Sequence, residues 1–395
     1  MKKANVVRNA ERWMLVLNCI RMVPWIRAFS SLRELNAADL LEREVVSLQI
    51  SKAHPTLKGQ VILVTGAAGS IGSELCRQLL NYEPKAVIAL DTNETGLFDL
   101  AENLCSHSYA AHLRLHIGDI TDVRGMAQLF AQEQPHIVFH AAAYKHVPLL
   151  EQFPEQAIRT NALATYHLCC LAQEHAVARF IFISTDKAAE PTSVMGASKR
   201  FGEMIVQALA KSANGITCFC TVRFGNVMGS RGSVIPVFVR QIELGGPITV
   251  TDPDATRYFM TIPEACGLVI LTAAVADRGG LYLLDMGHPV RIMDLAIKMT
   301  RLRGLRVGRD IPIVYTGLRP GERLHETLVA ANEELIPTAY QKVFCITQSD
   351  DLPTLTTVTQ WIHTLEASLY HESGAQLREH LFEIVRRREL EVLID

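Results

Sequence analysis

The chain has 395 residues, of which 49% are hydrophobic and 20% charged, and its formal net charge is −2. This composition is that of a soluble globular protein, and the small net charge argues against a protein that binds nucleic acid through many phosphate contacts. The length exceeds that at which a single hydrophobic core usually stops growing, so we expect two lobes.

Residues 1–56 are predicted to form a helical segment that precedes the main domain. Within it, residues 8–27 include basic residues and two tryptophans, but arginines and Pro24 interrupt the apolar run, which is too short to span a bilayer. Two interpretations stay open. The segment 8–27 contacts a membrane surface peripherally, or it is a helix that packs on its own domain or on a partner subunit.

A different pattern begins near residue 57, where short apolar segments alternate with helical ones. Each of the apolar segments is interpreted as nearly continuous and rich in β-branched residues, which is typical of strands buried on both faces of a parallel sheet. The repeated order of strand and helix predicts an α/β fold of the Rossmann type with a doubly wound parallel sheet. The predicted strands are Val61–Val64, Ala86–Leu90, Leu113–Ile117, Ile137–His140, Phe180–Ser184 and Cys218–Val222.

Two irregular stretches, 225–262 and 285–345, are punctuated by glycine and proline. Residues 263–284 between them predict a further helix and strand that return to the sheet. We therefore expect a dinucleotide-binding domain over 57–224 and 263–284, and a smaller substrate-binding lobe built from the two irregular stretches. A helical tail is expected over 346–395, and its charged run at 386–389 is interpreted as a solvated helix face.

A glycine-rich loop with the spacing Gly-x-x-Gly-x-x-Gly lies between the first predicted strand and a helix predicted over Ser73–Leu80. Gly66 permits the tight turn from strand to helix, Gly69 lets the backbone approach a pyrophosphate, and Gly72 lets the helix pack closely on the strand. The first N–H groups of the helix would face the phosphates. The loop residues assigned to cofactor binding are Gly66, Gly69, Ser70, Ile71 and Gly72.

Further cofactor-binding candidates stand where the next strands end. Asp91 lies about 20 residues beyond the glycine loop, where a carboxylate accepts both hydroxyls of the adenosine ribose and repels a 2′-phosphate, so NAD is favoured over NADP. The alternative is that Asp91 only caps the next helix. Asp119 could accept a hydrogen bond from the adenine amino group, and small alanines after the fourth strand let a cofactor approach. The residues added on these grounds are Asp119, Ile120, Ala141 and Ala143.

Side chains that can move protons follow the fifth predicted strand, at the same edge of the sheet as the cofactor-binding residues. Taken singly, a surface ion pair and simple packing would explain them. Met195 and Lys199 are four residues apart, so they share one face of a predicted helix. At this distance after the glycine loop the group as a whole predicts a catalytic site, and its members are Thr185, Asp186, Lys187, Met195 and Lys199.

The chain from about residue 57 to 343 resembles the CapD-like polysaccharide-biosynthesis proteins of the extended short-chain dehydrogenase/reductase superfamily. The resemblance implies a UDP-N-acetylglucosamine 4,6-dehydratase of bacterial glycan synthesis that holds NAD tightly and forms homo-oligomers. The sequence strings that carry it are VTGAAGSIGSE (64–74), HAAAYKHVPLLE (140–151), STDKAAEPTSVMGASKR (184–200), RFGNVMGSRGSVIP (223–236), TRYFMTIPEA (256–265) and LRPGERLHE (318–326).

In the reaction that this resemblance implies, the sugar is oxidised at C4, water leaves across C5 and C6, and hydride returns to C6. We assign Asp186 as the acid toward the C6 oxygen and Lys187 as the base at C5, and we expect burial and cations such as Lys199 to lower the Lys187 pKa. Thr185 would hydrogen-bond the C4 oxygen, and Lys199 would bind the nicotinamide ribose.

Met195 stands where the wider superfamily has a tyrosine that acts as base. The membrane-linked branch of the CapD-like proteins shares this methionine, so the base for C4 is unassigned, with Asp186 or a water relayed through Lys199 and the ribose as candidates. That branch usually carries transmembrane helices before the catalytic part, whereas residues 1–56 form only a short segment. We expect a cytoplasmic protein, or one at the cytoplasmic face of the inner membrane.

Substrate recognition is expected from the second lobe, because guanidinium groups suit the diphosphate of a UDP-sugar. Structural ion pairing is the alternative for the charged residues. His146 is interpreted as structural and is not placed in the site. The substrate-binding candidates are Lys145, Asn226, Arg231, Arg257, Arg319 and Glu322.

Two other functions stay open. One is a UDP-sugar 4-epimerase on the same scaffold, which Met195 disfavours because the usual base is missing. The other is a catalytically silent NAD-binding regulator, which the intact Asp186 and Lys187 disfavour. The nine cysteines include no CxxC pair, so they are interpreted as packing residues in a reducing compartment, and no metal site is expected.

Overall fold

A computed structural model describes residues 50–212, 216–348 and 352–390 of the protein. Residues 1–49 lie outside this range, and with them lies the segment 8–27 for which membrane contact is an open interpretation. Within the described ranges, none of the helices combines the length and the apolar character needed to cross a bilayer.

The strands assemble into one large sheet and several two-stranded pairings. In chain order they are β1 (Val61–Thr65), β2 (Ala86–Asp91), β3 (Leu113–Ile117), β4 (Ile137–His140), β5 (Arg179–Thr185), β6 (Cys218–Phe224), β7 (Asn226–Val227), β8 (Ile248–Val250), β9 (Thr256–Arg257), β10 (Phe259–Met260), β11 (Leu281–Leu284), β12 (Val290–Arg291), β13 (Ile313–Tyr315), β14 (Glu333–Pro337) and β15 (Val343–Gln348).

Helices of eight or more residues connect these strands and cover the sheet. They are α1 (Ile50–Leu57), α2 (Ser70–Leu79), α3 (Glu94–Leu104), α4 (Val123–Glu133), α5 (Ala164–Glu174), α6 (Val194–Ser212), α7 (Val234–Glu243), α8 (Ile262–Val275), α9 (Ile292–Leu302), α10 (Leu355–Ser368) and α11 (Gly374–Leu390).

The large sheet has the strand order β14-β15-β11-β6-β5-β4-β1-β2-β3, and its strands are parallel except β14 and β15. β1 pairs with β2 on one side and β4 on the other, so the chain crosses over at β1 and leaves a crevice at the carboxyl ends of these strands. Leu63 faces one hydrophobic core, whereas Ile62 and Val64 face the other. The predicted Rossmann-type α/β fold is confirmed.

The third predicted strand has the predicted bounds but not the predicted burial. β3 lies at the edge of the sheet, and Leu115 and Ile117 are 45% and 62% exposed. Arg114 and His116 alternate with these apolar residues, and an edge strand needs burial on one side at most. The expectation that every strand is buried on both faces is therefore wrong for β3.

The smaller lobe has a hydrophobic core of its own, built by α7, β8, β10 and α9 around Phe238, Val250, Phe259 and Met299. β14 and part of β15 fall within the stretch 285–345 that was assigned to this lobe, but they extend the large sheet instead. The domain division stays a prediction, and the structure differs from it in that β14 and β15 belong to the large sheet.

A buried ion cluster fastens β14 to the centre of the molecule. Arg223 on β6 donates hydrogen bonds at 2.7 Å to Glu203 on α6 and to Glu333 on β14. Arg200 donates to the same two carboxylates at 3.0 and 3.1 Å. Because the four charges balance and each is hydrogen-bonded, the cluster can be buried without an unpaired charge.

The C-terminal helices pack on α6 rather than standing free. Val358 and Ile362 of α10, and Leu381 and Phe382 of α11, are buried in the same hydrophobic core as α6. Two helices make up most of the predicted tail, and one face of them belongs to the core, whereas 346–348 at its predicted start are part of β15. The side chains of 387–390 lie outside the described residues.

Candidate active site

The first cavity, of about 230 Å³, lies at the carboxyl ends of β1, β2, β3 and β4. Among the predicted cofactor-binding residues, those that line it are Gly66, Gly69, Asp91, Asp119, Ile120, Ala141 and Ala143. The cavity is also lined by Leu90, Thr92, Tyr144 and Thr160, which are not among the predicted cofactor-binding residues. Ser70, Ile71 and Gly72 begin α2 beside this cavity.

The glycine loop has the geometry that a phosphate cradle needs. Gly66 has φ +71°, and a Cβ there would lie 2.7 Å from the backbone of Ala142, so only glycine fits between β1 and the loop after β4. A Cβ on Gly72 would collide with the Gly66 carbonyl. α2 has no side-chain cap, which leaves its first N–H groups free for an anion.

Asp91 already has partners in the structure. Its carboxylate accepts hydrogen bonds of 2.9 Å from the backbone N–H groups of Ala68 and Asn93. These bonds hold the glycine loop against the end of β2, where Asp91 also lines the cavity. The N-cap of α3 is Asn93, whose side chain accepts from the Gly96 N–H, so the alternative that Asp91 caps this helix is wrong. The Asp91 carboxylate has acceptor positions left for ribose hydroxyls.

Arg231 lies against the glycine loop and is not among the residues that line the second cavity. Its backbone N–H donates to Ser70 Oγ at 3.1 Å, and its guanidinium donates to the Ala68 carbonyl, also at 3.1 Å. This placement sets Arg231 beside the cofactor loop, away from the position expected for a substrate ligand.

The second cavity, of about 320 Å³, opens between the sheet and the smaller lobe. It adjoins the first through the loop after β4, because Tyr144 lines one cavity and Lys145 the other. Seven predicted site residues line it: Asp186, Lys187, Lys145, Asn226, Arg257, Arg319 and Glu322. His146 lines it too, although the sequence favours a structural role for this residue.

Lys187 is the centre of the polar network in this cavity. Its Nζ lies 2.9 Å from Asp186 Oδ1, 3.2 Å from Glu326 Oε1 and 3.3 Å from Asn226 Oδ1. Asp186 Oδ1 also accepts a hydrogen bond of 2.8 Å from Thr185 Oγ1, whereas its buried Oδ2 has no partner. Glu326 was not selected from the sequence, although it ends the string LRPGERLHE.

The expected direction of the Lys187 pKa shift is wrong for this structure. Burial alone would lower the pKa of Lys187, but the carboxylates of Asp186 and Glu326 outweigh burial and hold the pKa above its usual value. Arg257 opposes them weakly. Without substrate, Lys187 is therefore an ammonium group at neutral pH.

The lysine with the lowered pKa is Lys199. Burial lowers the pKa of Lys199 to about 7, and its Nζ donates to the Ile183 carbonyl at 2.8 Å and lies 4.4 Å from the Phe182 ring. Met195 is 5% exposed and belongs to the hydrophobic core. Neither residue lines the two cavities as the structure stands.

A buried polar chain fixes the loop that joins the two cavities. His140 lies between Thr65 and Thr165, with ring nitrogens 2.8 and 2.9 Å from their hydroxyl oxygens, and burial and the charge of Lys199 lower the pKa of His140 to about 3. Asn161, in a π-helical segment, exchanges two hydrogen bonds with the backbone of Tyr144. These bonds hold the loop after β4 in one conformation.

The arginines of the second lobe differ in how freely they can meet a diphosphate. Arg257 is turned toward the protein: its guanidinium donates to the carbonyls of Thr256, Leu324 and Arg323 and lies 3.5 Å from Glu326. The Arg319 side chain is 58% exposed at the cavity and lies 3.7 Å from Glu322, so it is free to turn toward an anion.

Comparisons with known proteins identify the family. A family model described as a polysaccharide biosynthesis protein matches residues 62–348. The chain belongs to this family. The predicted resemblance to the CapD-like proteins is confirmed at the level of the family.

Two relatives in the family are close in sequence. The probable polysaccharide biosynthesis protein EpsC of Bacillus subtilis (strain 168) is 43% identical over 97% of this chain and 65% of its own length. The capsular polysaccharide biosynthesis protein CapD of Staphylococcus aureus is 45% identical over 80% of this chain and 52% of its own length. The chain therefore spans about half to two thirds of these relatives.

Other matches bear on the range of activities. The solved structure of Pen from Bacillus thuringiensis is 32% identical with a TM-score of 0.68, and the match covers 75% of this chain and 89% of that one. The UDP-glucose 4-epimerase of Rickettsia rickettsii is 33% identical over 69% of this chain and 79% of its own length.

Proposed function

We propose that this polysaccharide-biosynthesis family member is an NAD-dependent nucleotide-sugar 4,6-dehydratase that acts on UDP-N-acetylglucosamine. The observation that carries the proposal is the second cavity, where Asp186 and Lys187 lie 2.9 Å apart beside the cofactor crevice and where the exposed Arg319 can turn toward a diphosphate. The family membership supports a role in making sugar precursors for surface polysaccharides.

The first cavity fits NAD. The cradle at Gly66 and Gly72 has no room for a Cβ, the N-terminus of α2 offers free N–H groups, and Asp91 stands where a 2′-phosphate would be repelled. When bound there, NAD would supply the redox chemistry of the reaction, which is the oxidation at C4 and the reduction at C6. The chain's own residues then have to move the protons.

The proton transfers of the elimination take place at Asp186 and Lys187, and the proton released from the C4 hydroxyl closes the balance. Once C4 is a ketone, the C5–H bond breaks, its electron pair forms the C5–C6 double bond, and the C6–O bond breaks. The Lys187 amine takes the C5 proton while the Asp186 carboxyl gives a proton to the C6 oxygen, which leaves as water. The Lys187 ammonium then returns its proton to C5 when hydride reaches C6, and the proton lost from the C4 hydroxyl restores the one that Asp186 gave up, so the net change is the loss of one water.

The raised pKa of Lys187 does not prevent this role. Moving one proton across the 2.9 Å contact, from Nζ to Asp186 Oδ1, turns the ion pair into a neutral acid and a neutral amine with no net uptake or release of protons. The pair then has the protonation that the acid and the base require. Asp186 is 1% exposed, and such a low-dielectric position penalises the separated charges.

An epimerase is the second candidate, because the Rickettsia epimerase is a relative of this chain. Buried Met195 cannot exchange a proton with the C4 hydroxyl, which disfavours epimerisation by the tyrosine-dependent route. Product mass separates the two candidates. Incubation with UDP-N-acetylglucosamine should yield a product lighter by one water; an isomer of unchanged mass would establish the epimerase, and no turnover would contradict both.

The choice of cofactor can be tested at Asp91. We expect Asp91→Ser to weaken NAD binding about 10–100-fold, the equivalent of hydrogen bonds to a charged group, and to weaken NADP binding less or improve it. Isothermal titration calorimetry of both nucleotides measures the ratio. If both affinities fall equally, Asp91 acts only by holding the glycine loop through Ala68 and Asn93.

A further inference from the structure

Glu326 is a carboxylate of the second cavity to which the proposed reaction gives no task. Its side chain is 5% exposed, and it follows the loop that carries Arg319 and Glu322. Its Oε1 lies 3.2 Å from Lys187 Nζ and 3.5 Å from Arg257 Nε. A nearly buried carboxylate that contacts the nitrogen of the proposed base requires an explanation beyond surface charge.

The charges around Lys187 form a closed set. Asp186 and Glu326 flank Nζ, Arg257 stands beyond Glu326, and the neutral amide oxygen of Asn226 completes the contacts. Two carboxylates and two cations balance, and Glu326 has the guanidinium of Arg257 as its countercharge while Asp186 gives up and regains its proton. The other charged side chains that line the cavity are Lys145, Glu190, Arg319, Glu322 and Arg323.

We propose that Glu326 is a positioning residue that orients the Lys187 amine and stabilises the ammonium that forms when this amine takes the C5 proton. The inference rests on the proposed function. In the step concerned, the C5–H bond breaks, the N–H bond forms on Nζ, and positive charge appears 3.2 Å from a carboxylate that keeps its charge throughout. A fixed carboxylate supports histidine bases in the same way in hydrolytic triads.

The proposal gives the two carboxylates that contact Lys187 Nζ different roles, in line with their different distances from it. Asp186, at 2.9 Å, is the partner that exchanges a proton with Nζ, and Glu326, at 3.2 Å, is the partner that does not. Arg257, held by three backbone carbonyls, keeps Glu326 in place and supplies the countercharge. The two carboxylates thus have separate tasks although both contact the same nitrogen.

The test uses Glu326→Gln, which keeps the shape and removes the charge. We expect kcat for dehydration to fall about 10–100-fold, the rate equivalent of one hydrogen bond to a charged group. At the same time, acylation of Lys187 by acetic anhydride at pH 9, followed by mass spectrometry, should become several-fold faster because less of the amine is protonated. Lys145 lines the same cavity and is the internal reference for access.

Two further variants complete the experiment. Glu326→Asp keeps the charge with a shorter reach and should retain more activity than Glu326→Gln, which guards against a simple folding defect. Glu133→Gln removes a carboxylate from an ion pair with Arg114 on the far strand β3 and should change neither measurement.

The outcomes are distinct. A slower kcat together with faster Lys187 acylation supports the inference. Full or increased kcat in Glu326→Gln overturns it, and so does unchanged Lys187 acylation relative to Lys145. A wild-type protein that does not dehydrate UDP-N-acetylglucosamine would overturn the proposed function instead, while the acylation rates would still decide whether Glu326 controls the amine.

Discussion

Replacing Lys187 by arginine should stop dehydration while leaving the ion pairs in place. Arginine keeps a cation between Asp186 and Glu326, so the charge balance of the cavity is preserved. A guanidinium does not give up its proton at any accessible pH, so it cannot serve as the base at C5. We expect turnover to fall by roughly 10²–10⁴-fold, the usual contribution of a positioned acid or base.

The measurement is formation of the dehydrated product, followed by mass spectrometry, with a parallel reaction in D₂O. In the wild-type enzyme the proton that returns to C5 comes from an exchangeable site, so the product should carry one deuterium. Lys187→Arg should form neither product nor deuterated substrate. Lys58→Met serves as the control, because this exposed lysine pairs with Glu83 on the surface and its loss should leave turnover unchanged.

The result would contradict the proposed role if Lys187→Arg turned over at the wild-type rate. In that case the side chain would act only as a cation, and another group would have to remove the C5 proton. Lys145 would then be the first candidate, since it lines the same cavity and burial lowers its pKa.

The cofactor cavity was predictable because its residues depend on local rules. Gly66 and Asp91 each follow a strand, and parallel strands bring their carboxyl ends to one edge of the sheet, so chain positions far apart converge there. The same rule placed Asp186 and Lys187 at the end of β5, next to this edge.

The residues that were missed depend on contacts between distant parts of the chain. Glu326 meets Lys187 only after the smaller lobe folds back on the sheet, and its motif offered Arg319 and Glu322 as more obvious candidates. The predicted direction of the Lys187 pKa shift is wrong because the carboxylate of neighbouring Asp186, and after it that of Glu326, outweighs the effect of burial. Arg231 contacts the glycine loop, and this contact could not be predicted because Arg231 lies in a loop whose sequence has no helical or strand periodicity.

The addition of β14 and β15 to the large sheet was likewise invisible to pattern analysis. Residues 333–337 include two adjacent glutamates and a proline, which do not resemble a buried strand. Glu333 is nevertheless buried, because it forms an ion pair with Arg223, which lies 110 residues away in sequence. The local hydrophobicity pattern around a charged residue cannot show that a partner so distant in sequence will neutralise its charge.

This buried cluster predicts a large loss of stability when one carboxylate is removed. Glu333→Gln would leave Arg223, which is fully buried, with half of its partners and an uncompensated charge. Breaking a buried ion pair from one side typically costs about 3–5 kcal/mol in the free energy of unfolding. Urea denaturation at pH 7 measures this value, and Glu83→Gln, which breaks an exposed pair with Lys58, should change it by about 1 kcal/mol or less.

The same cluster predicts a loss of stability in acid. Contacts with Arg223 and Arg200 overcome the opposing effect of burial, lower the pKa of Glu203 and hold the pKa of Glu333 at about 2. Because both values lie below the unfolded value of about 4.3, their contribution is present above that pH and is lost as pH falls toward the folded pKa. The unfolding free energy should therefore decline below about pH 4.5 in the wild type. Glu333→Gln should show a shallower decline over the same range, and an equal slope in both proteins would show that the cluster does not drive acid unfolding.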